Sequence, residues 1–123
     1  MGIYNFQERF VPFIASGQKT HTIRAIRKYP DKPGNLLNLY TGLRRKGARL
    51  LARVRCVKVE NIFIACDGNV RIDGVYLAGD EREAFARRDG FENFKQFTEF
   101  WNGTSGRVNL LPFRGHIIHW RNR

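Results

Sequence analysis

The sequence predicts an α+β fold, a small β-barrel of five to six mostly antiparallel strands with helices closing its ends. Apolar residues recur at helical spacing near the N-terminus and after residue 80, and they alternate with polar residues in between. The alternation changes phase near Cys56, which indicates a bent strand and favours a barrel over a flat sheet. No repeat or linker divides the 123 residues, so residues 1–123 are expected to form a single domain.

A helix and then a short strand are predicted first. Four apolar residues have the spacing of one helical face: Phe6, Phe10, Phe13 and Ile14. Gly17 suits the end of this helix, because glycine adopts the left-handed conformation common there. The next residues alternate and are rich in threonine, which predicts a strand with Thr20, Thr22 and Arg24 on one face.

The middle of the chain predicts strands separated by polar turns. Residues 27–35 are rich in proline, glycine and charge and predict a surface loop, and residues 36–40 predict a short strand. From Ala48 the alternation predicts a half-exposed strand with basic residues outward. Its apolar face is expected to carry Leu50, Ala52, Val54 and Cys56.

The second half predicts a hairpin, two helices and a last strand. Asp67-Gly68 is a hairpin signal between residues 61–64 and 70–72, and Asp73-Gly74 marks another turn. Asp80 and Glu83 form a variant of the capping box, so a helix is expected to begin at Asp80. A second helix is predicted from an aromatic stripe of Phe91, Phe94, Phe97 and Trp101. Residues 108–120 predict the final strand.

The chain is strongly basic, and most of its basic residues are arginine. The formal net charge is +11, with sixteen arginines and six lysines. Such a charge favours a polyanionic partner, namely RNA, DNA, a nucleotide or an anionic membrane. Nucleic acid is the leading candidate, because arginine suits bidentate phosphate contacts and stacking on bases. The alternative is a solvated basic surface without a specific partner.

Other classes of site and location are set aside on the sequence. Cys56 and Cys66 lie in or beside apolar segments without a ligand pattern, so both are expected to be reduced core residues. The N-terminus lacks signal-peptide features and no stretch is long enough to span a bilayer, which predicts a cytoplasmic protein without a membrane partner. The histidines are scattered and no Gly-rich phosphate loop occurs, so neither a metal nor a cofactor is expected.

Residues 17–24, with the sequence GQKTHTIR, are the strongest candidate for a site. Thr22 and Arg24 share a strand face and Lys19 lies at the turn, so three polar groups can converge. A lysine whose pKa is lowered by burial or by a nearby cation can act as a base or activate a hydroxyl. Asp89 is the most suggestive distant carboxylate. Two alternatives stay open: an ordinary polar strand, and an Asp89 that only caps the following helix.

These segments resemble the ASCH (ASC-1 homology) domain family of the PUA-like superfamily. The likeness rests on Phe10 and Ile14, on GxKTxTIR at residues 17–24 and on PGNLLxLYTG at residues 33–42. The ending LPFxGxIIxW at residues 111–120 resembles the closing strand of that family. The resemblance covers nearly the whole chain, and it implies a PUA-like β-barrel whose cleft binds RNA or a nucleotide-like ligand.

The resemblance also implies roles for individual residues. Some members of the family are amidohydrolases that deacetylate N4-acetylcytidine, with a signature lysine and threonine and a glutamate as proposed catalytic residues. Lys19 and Thr22 match the first two, and Asp89 stands at the position of the glutamate. Aspartate is shorter by one methylene, and a displacement of about 1 Å can cost on the order of 100-fold in rate.

We therefore predict a protein that binds RNA or a modified nucleoside in a basic cleft built on residues 17–24. Thr20 and Arg24 are the predicted ligand-binding residues. Phosphate contacts are predicted from four further arginines: Arg44, Arg45, Arg53 and Arg55.

Two enzymatic alternatives remain. In the first, an amidohydrolase, Lys19, Thr22 and Asp89 are catalytic and Arg24 holds the oxyanion. In the second, a ribonuclease acting on single-stranded RNA, His21 supplies acid–base chemistry. The second is the weaker one, because alternation places His21 on the strand face opposite Thr22.

Overall fold

The computed structural model describes residues 2–43, 46–104, 106 and 108–121. These residues form seven strands and three α-helices, with a short 3-10 turn at Glu8–Phe10 before the first helix. In chain order the elements are β1 (Gly2–Phe6), α1 (Val11–Ser16), β2 (His21–Ala25), β3 (Leu36–Thr41), β4 (Arg49–Ile64), β5 (Val70–Ile72), β6 (Val75–Tyr76), α2 (Asp80–Arg88), α3 (Phe94–Asn102) and β7 (Phe113–Arg121).

The strands form one mostly antiparallel sheet organised around the long strand β4. Arg55 pairs with Leu36 of β3 and with Arg121 of β7, so these two strands lie on opposite edges of β4. The short strand β5 pairs with the far end of β4 and with β6, and β2 pairs with the outer edge of β7. The β1–β3 pair is parallel. The predicted α+β class with mostly antiparallel strands is confirmed, but the sheet has seven strands and not the five to six expected, because β1 and the short β6 were not predicted as separate strands.

The sheet is open between β1 and β2 in the part of the chain that the structure describes. No backbone ladder joins these strands, and instead two arginine side chains reach across. The Arg24 guanidinium donates to the carbonyl of Asn5 at 2.7 Å, and that of Arg27 donates to the carbonyl of Ile3 at 3.0 Å. The arginines satisfy carbonyls that an edge strand would otherwise expose.

Two irregularities in the pairing of β4 bend the sheet. The register with β7 shifts between Cys56 and Lys58, which confirms the bulge predicted near Cys56. The register with β3 also shifts, between Leu39 and Tyr40. This second shift changes which residues of β4 face the core, because an extra residue reverses the alternation. Leu50, expected on the apolar face, is therefore exposed.

The N-terminal segment differs from its prediction. Residues 2–6 form a strand, and the helix begins at Val11 instead of continuing back to Phe6. Phe6, Phe10 and Ile14 are all buried, but Phe6 reaches the core from a strand and Phe10 from the 3-10 turn. The end of the helix is as predicted, since Gly17 adopts a left-handed conformation with φ 83°.

The two later helices form where they are predicted, with different caps. Asp80 is the first residue of α2 and not its cap, and Gly79 stands at the N-cap without a side-chain hydrogen bond. The predicted capping box is therefore wrong, and the Glu83 carboxylate accepts from the amide of Phe94 instead. Asn93 caps α3 by accepting from the amide of Gln96 at 2.8 Å. Asn93, and not Asp89, is therefore the N-cap of the helix that follows, α3.

The core is rich in aromatic residues packed between the helices and the sheet. Phe97 is buried at its centre and makes edge-on contacts with Phe85 and Phe91. The predicted aromatic stripe of α3 is therefore core. Cys56 is buried as expected, but Cys66 is exposed, because it begins the tight turn between β4 and β5. Among the described residues, no helix has the length and apolar character needed to cross a membrane.

Candidate ligand-binding cleft

A cleft of about 240 Å³ opens where the edges of β1 and β2 face the turn between α2 and α3. Three of the polar residues singled out in the motif at residues 17–24 line it together: Lys19, Thr22 and Arg24. Asp89 lines it from the α2–α3 turn, 70 residues further along the chain than Lys19. The remaining wall is mainly aromatic and includes Phe6, Phe10, Phe91, Phe100 and Trp101. A cleft of this volume suits a small ligand.

Lys19 and Asp89 form a buried ion pair at one side of the cleft. The ammonium nitrogen of Lys19 lies 2.6 Å from Oδ1 of Asp89 and donates a second hydrogen bond to the Asp89 carbonyl at 2.9 Å. The two residues are 3% and 5% exposed. Lys19 also lies over the Phe10 ring, with its nitrogen 5.0 Å from the ring centroid. A lysine ammonium has three donors, so one remains for a ligand.

The backbone around Asp89 is shaped to hold its carboxylate in this position. Asp89 is the C-cap of α2, and its amide donates to the carbonyl of Phe85 at 3.0 Å. A carboxylate is disfavoured at a helix C-terminus by the helix dipole, so the charge needs the partner that Lys19 provides. Gly90 follows with φ +100°, and a Cβ there would lie 2.9 Å from the Phe10 ring. Glycine at this position lets the chain turn closely against Phe10.

Burial and mutual attraction shift the pKa values of both partners. Burial lowers the pKa of Lys19 below its ordinary value, and the charge of Asp89 opposes that shift. Burial alone would raise the pKa of Asp89, but the adjacent ammonium and the His21 ring bring that pKa below its ordinary value. The carboxylate is therefore ionised at neutral pH, which favours a charged ion pair.

His21, the first residue of β2, also lies close to the Asp89 carboxylate. Its Nε2 atom lies 3.0 Å from Oδ1 of Asp89, but without the alignment of a hydrogen bond. The ring is stacked on Phe85, with centroids 5.5 Å apart and planes 18° apart. His21 lines a different cavity from Thr22, so its predicted place on the opposite strand face agrees with the structure. Its approach to Asp89 was not anticipated from the sequence.

Thr22 and Arg24 form the second polar side of the cleft. The Nε–H group of Arg24 donates to the hydroxyl oxygen of Thr22 at 2.9 Å, which leaves the hydroxyl proton of Thr22 free to donate to a ligand. The guanidinium lies about 5 Å from the centroids of two rings, those of Tyr4 and Phe6. Burial lowers the pKa of Arg24 to about 10, so it stays charged at neutral pH.

The other residues predicted for the site lie elsewhere. Thr20 is half-buried and is not among the described residues that line the cleft, and its carbonyl accepts from the amide of Trp120. Arg53 donates to the side chain of Asn38, and Arg55 donates to the carbonyl of Gly34, both away from the cleft. Arg44 and Arg45 lie outside the described residues.

Several residues of the cleft had no signal in the sequence. Asn5 and Gln7 belong to the end of β1 and the turn after it, a segment whose apolar spacing imitates a helix. The aromatic wall could be identified from the sequence as core but not as the wall of a cleft, because that depends on how α3 packs. Within the described ranges, no group of three or more histidine, cysteine, aspartate or glutamate side chains is placed to hold a metal ion.

Comparison with known proteins adds no assignment. No protein-family model, no curated protein and no solved structure matches the chain.

Proposed function

We propose that this chain is an ASCH-type, PUA-like domain that binds a modified nucleoside or an RNA nucleotide in the cleft formed by Lys19, Thr22, Arg24 and Asp89. The observation that carries the proposal is the convergence of these groups on a small cleft whose remaining wall is mainly aromatic. A nucleobase needs an aromatic surface for its face and donors for the carbonyl oxygens on its edge. The cleft provides both.

The strand order supports the barrel part of the proposal. Across the sheet, β1 lies beside β3, then β4, β7 and β2, so the two outer strands are β1 and β2. Arg24 of β2 and Arg27 of the loop after β2 donate to backbone carbonyls of β1. Side-chain bridges between the two outer strands are consistent with a barrel that closes there through arginines.

The free donors of the cleft define how a base would bind. The unused N–H group of Lys19 and the hydroxyl of Thr22 both suit an acceptor such as the carbonyl oxygen of cytosine or of an acetyl group. Both side chains are held by other contacts, which reduces the entropy lost on binding.

The proposal includes a cytoplasmic location. The free cysteines Cys56 and Cys66 are compatible with the reducing conditions there.

Calorimetric titration with N4-acetylcytidine and with cytidine tests this proposal. Thr22→Val keeps the shape of the side chain but removes its donor, so we expect at least about a tenfold loss of affinity. Thr104→Val is the matched control, because Thr104 is exposed and does not line the cleft. Unchanged affinity in Thr22→Val, or an equal loss in the control, would contradict the proposed site.

A second candidate function is hydrolysis of the acetyl amide, and the 2.6 Å contact of Lys19 with Asp89 beside Thr22 favours it. Water would add to the acetyl carbonyl and the C–N bond would break, giving acetate and cytidine, with a proton returned to the leaving nitrogen. A base is needed to take the proton of the attacking water or hydroxyl. Lys19 can do so only as a neutral amine, and the charged ion pair opposes that form.

Binding therefore ranks before hydrolysis, and the two are separable by product analysis. Incubation with N4-acetylcytidine followed by mass spectrometry detects cytidine if hydrolysis occurs. Hydrolysis by the wild type that is lost in Thr22→Val, with the fold intact, supports the enzyme. Binding without any cytidine formed supports a binding domain alone.

A further inference from the structure

Four residues that do not line the cleft form a continuous row across the sheet. They are direct cross-strand partners on neighbouring strands, in the order Arg114 (β7), Phe63 (β4), Arg71 (β5) and Tyr76 (β6). Directly opposite residues point to the same face of a sheet, so arginine and aromatic side chains alternate along one line. We call this set the arginine–aromatic row.

Cation–π contacts hold the row together. The guanidinium carbons of Arg71 and Arg114 lie 5.0 and 4.9 Å from the centroid of the Phe63 ring. Arg71 also lies 5.6 Å from the centroid of Tyr76, which is 51% exposed. Arg114 is exposed, while Phe63 and Arg71 are half-buried. The row thus presents two orientated guanidinium groups and an accessible aromatic ring to solvent.

The charges of the row are not neutralised within the part of the chain that the structure describes. Neither Arg71 nor Arg114 forms a salt bridge with a described carboxylate. Asp73, two residues after Arg71, accepts a hydrogen bond from the backbone amide of Asn61 through Oδ1. With a net charge of +11 on the chain, this row attracts an anionic partner.

The pairing register relates the row to the cleft. Arg24 of the cleft pairs with His116, and His116 pairs with Asn61. Each of these last two residues lies two positions from a member of the row, Arg114 and Phe63, a separation of roughly 7 Å along a strand. The arginine–aromatic row therefore lies on the same face of the sheet as Arg24, next to the line of cross-strand partners that contains Arg24.

We infer that the arginine–aromatic row binds a single-stranded nucleic acid, whose phosphates pair with Arg71 and Arg114 and whose bases stack on Tyr76 and on the guanidinium planes. Alternating cations and aromatic rings are the combination that binds unpaired strands, because every base has a face to stack and every nucleotide a phosphate. The inference shares its ligand class with the proposed function: the cleft takes one nucleoside, and the row takes the strand that carries it.

Fluorescence anisotropy with a fluorescein-labelled oligouridylate of about twelve nucleotides tests the inference. We expect Arg71→Ala/Arg114→Ala to bind at least about tenfold more weakly, with the slope of log affinity against log salt reduced by about 1.4. Lys32→Ala/Lys95→Ala removes two exposed charges from outside the row and should change affinity less than about twofold. Arg71→Lys/Arg114→Lys keeps the charge but loses the planar group, so an intermediate loss is expected.

Three results would overturn the inference: no binding of the oligonucleotide by the wild type, an equal loss in both alanine double variants, or equally strong competition by a duplex. Calorimetry with N4-acetylcytidine tests the proposed function of the cleft independently of the row. Nucleoside binding that persists in the row variant, with oligonucleotide binding lost, supports both proposals. If the protein binds the oligonucleotide through the row but binds no nucleoside, the inference about the row stands and the proposed function of the cleft is refuted.

Discussion

The buried ion pair between Lys19 and Asp89 joins the segment before β2 to the end of α2 and lines the cleft. Replacing Asp89 with asparagine keeps the size of the side chain and removes its charge. Lys19 then remains buried without an ionic partner, a change that typically costs about 3–5 kcal/mol. We expect a value near the lower end, about 3 kcal/mol, because the carbonyl of residue 89 still accepts from Lys19.

Urea denaturation followed by fluorescence of the buried Trp101 and Trp120 measures this loss. Asp89→Asn, Lys19→Met and the double variant complete a thermodynamic cycle. The double variant should be more stable than the sum of the single losses predicts, with an interaction energy of about 2 kcal/mol, because removing both charges leaves neither unpaired. The slope of unfolding free energy against urea should not change, since the surface exposed on unfolding is similar.

An exposed ion pair in the same chain provides the control. Arg49 and Glu8 lie 3.8 Å apart, with side chains 58% and 67% exposed. Glu8→Gln should leave the unfolding free energy unchanged within error, because solvent screens such pairs. A loss below about 1 kcal/mol in Asp89→Asn, or strict additivity in the cycle, would mean that the buried pair does not carry the charge interaction described here.

Two other predictions concern the turn that holds the carboxylate and the pH at which the pair acts. Gly90→Ala should destabilise the protein by more than about 1 kcal/mol, since it adds a Cβ 2.9 Å from Phe10 to a residue at φ +100°; Gly47→Ala, at φ +85° with nothing within 4 Å, should lose less in the same denaturation assay. Because the folded pKa of Asp89 is depressed, its contribution to stability is present above about pH 4 and is lost as pH falls through the folded pKa. Denaturation across pH 2–6 should therefore show a shallower acid dependence in Asp89→Asn than in the wild type, and parallel curves would contradict that assignment.

Local patterns in the sequence predicted much of the fold because they involve neighbouring residues. The left-handed Gly17, the hairpin at Asp67-Gly68 and the bulge near Cys56 each depend on a few adjacent positions. The first strand was missed because Phe6 and Phe10 are spaced as on a helix although they lie on either side of a strand–helix junction. Its parallel pairing with β3 is non-local and leaves no short-range signature.

The cleft was predictable to the extent that its residues lie in one short segment, β2 and the turn before it. Lys19, Thr22 and Arg24 are close in sequence, so alternation and the turn were enough to group them around a cleft. Asp89 could be named as a candidate carboxylate for the group that contains Lys19 and Thr22. Its direct contact with Lys19 could not be derived from the residues, because that contact depends on how the α2–α3 turn packs. The approach of His21 to Asp89 also depends on that packing.

A crystal structure of the protein soaked with N4-acetylcytidine tests the central claim most directly. We predict electron density for the nucleoside in the cleft, with its base against the aromatic wall. One of its carbonyl oxygens should lie within hydrogen-bond distance of the Thr22 hydroxyl and the Lys19 ammonium. A cleft that stays empty at saturating ligand concentration, or a nucleoside bound elsewhere on the protein, would contradict the account.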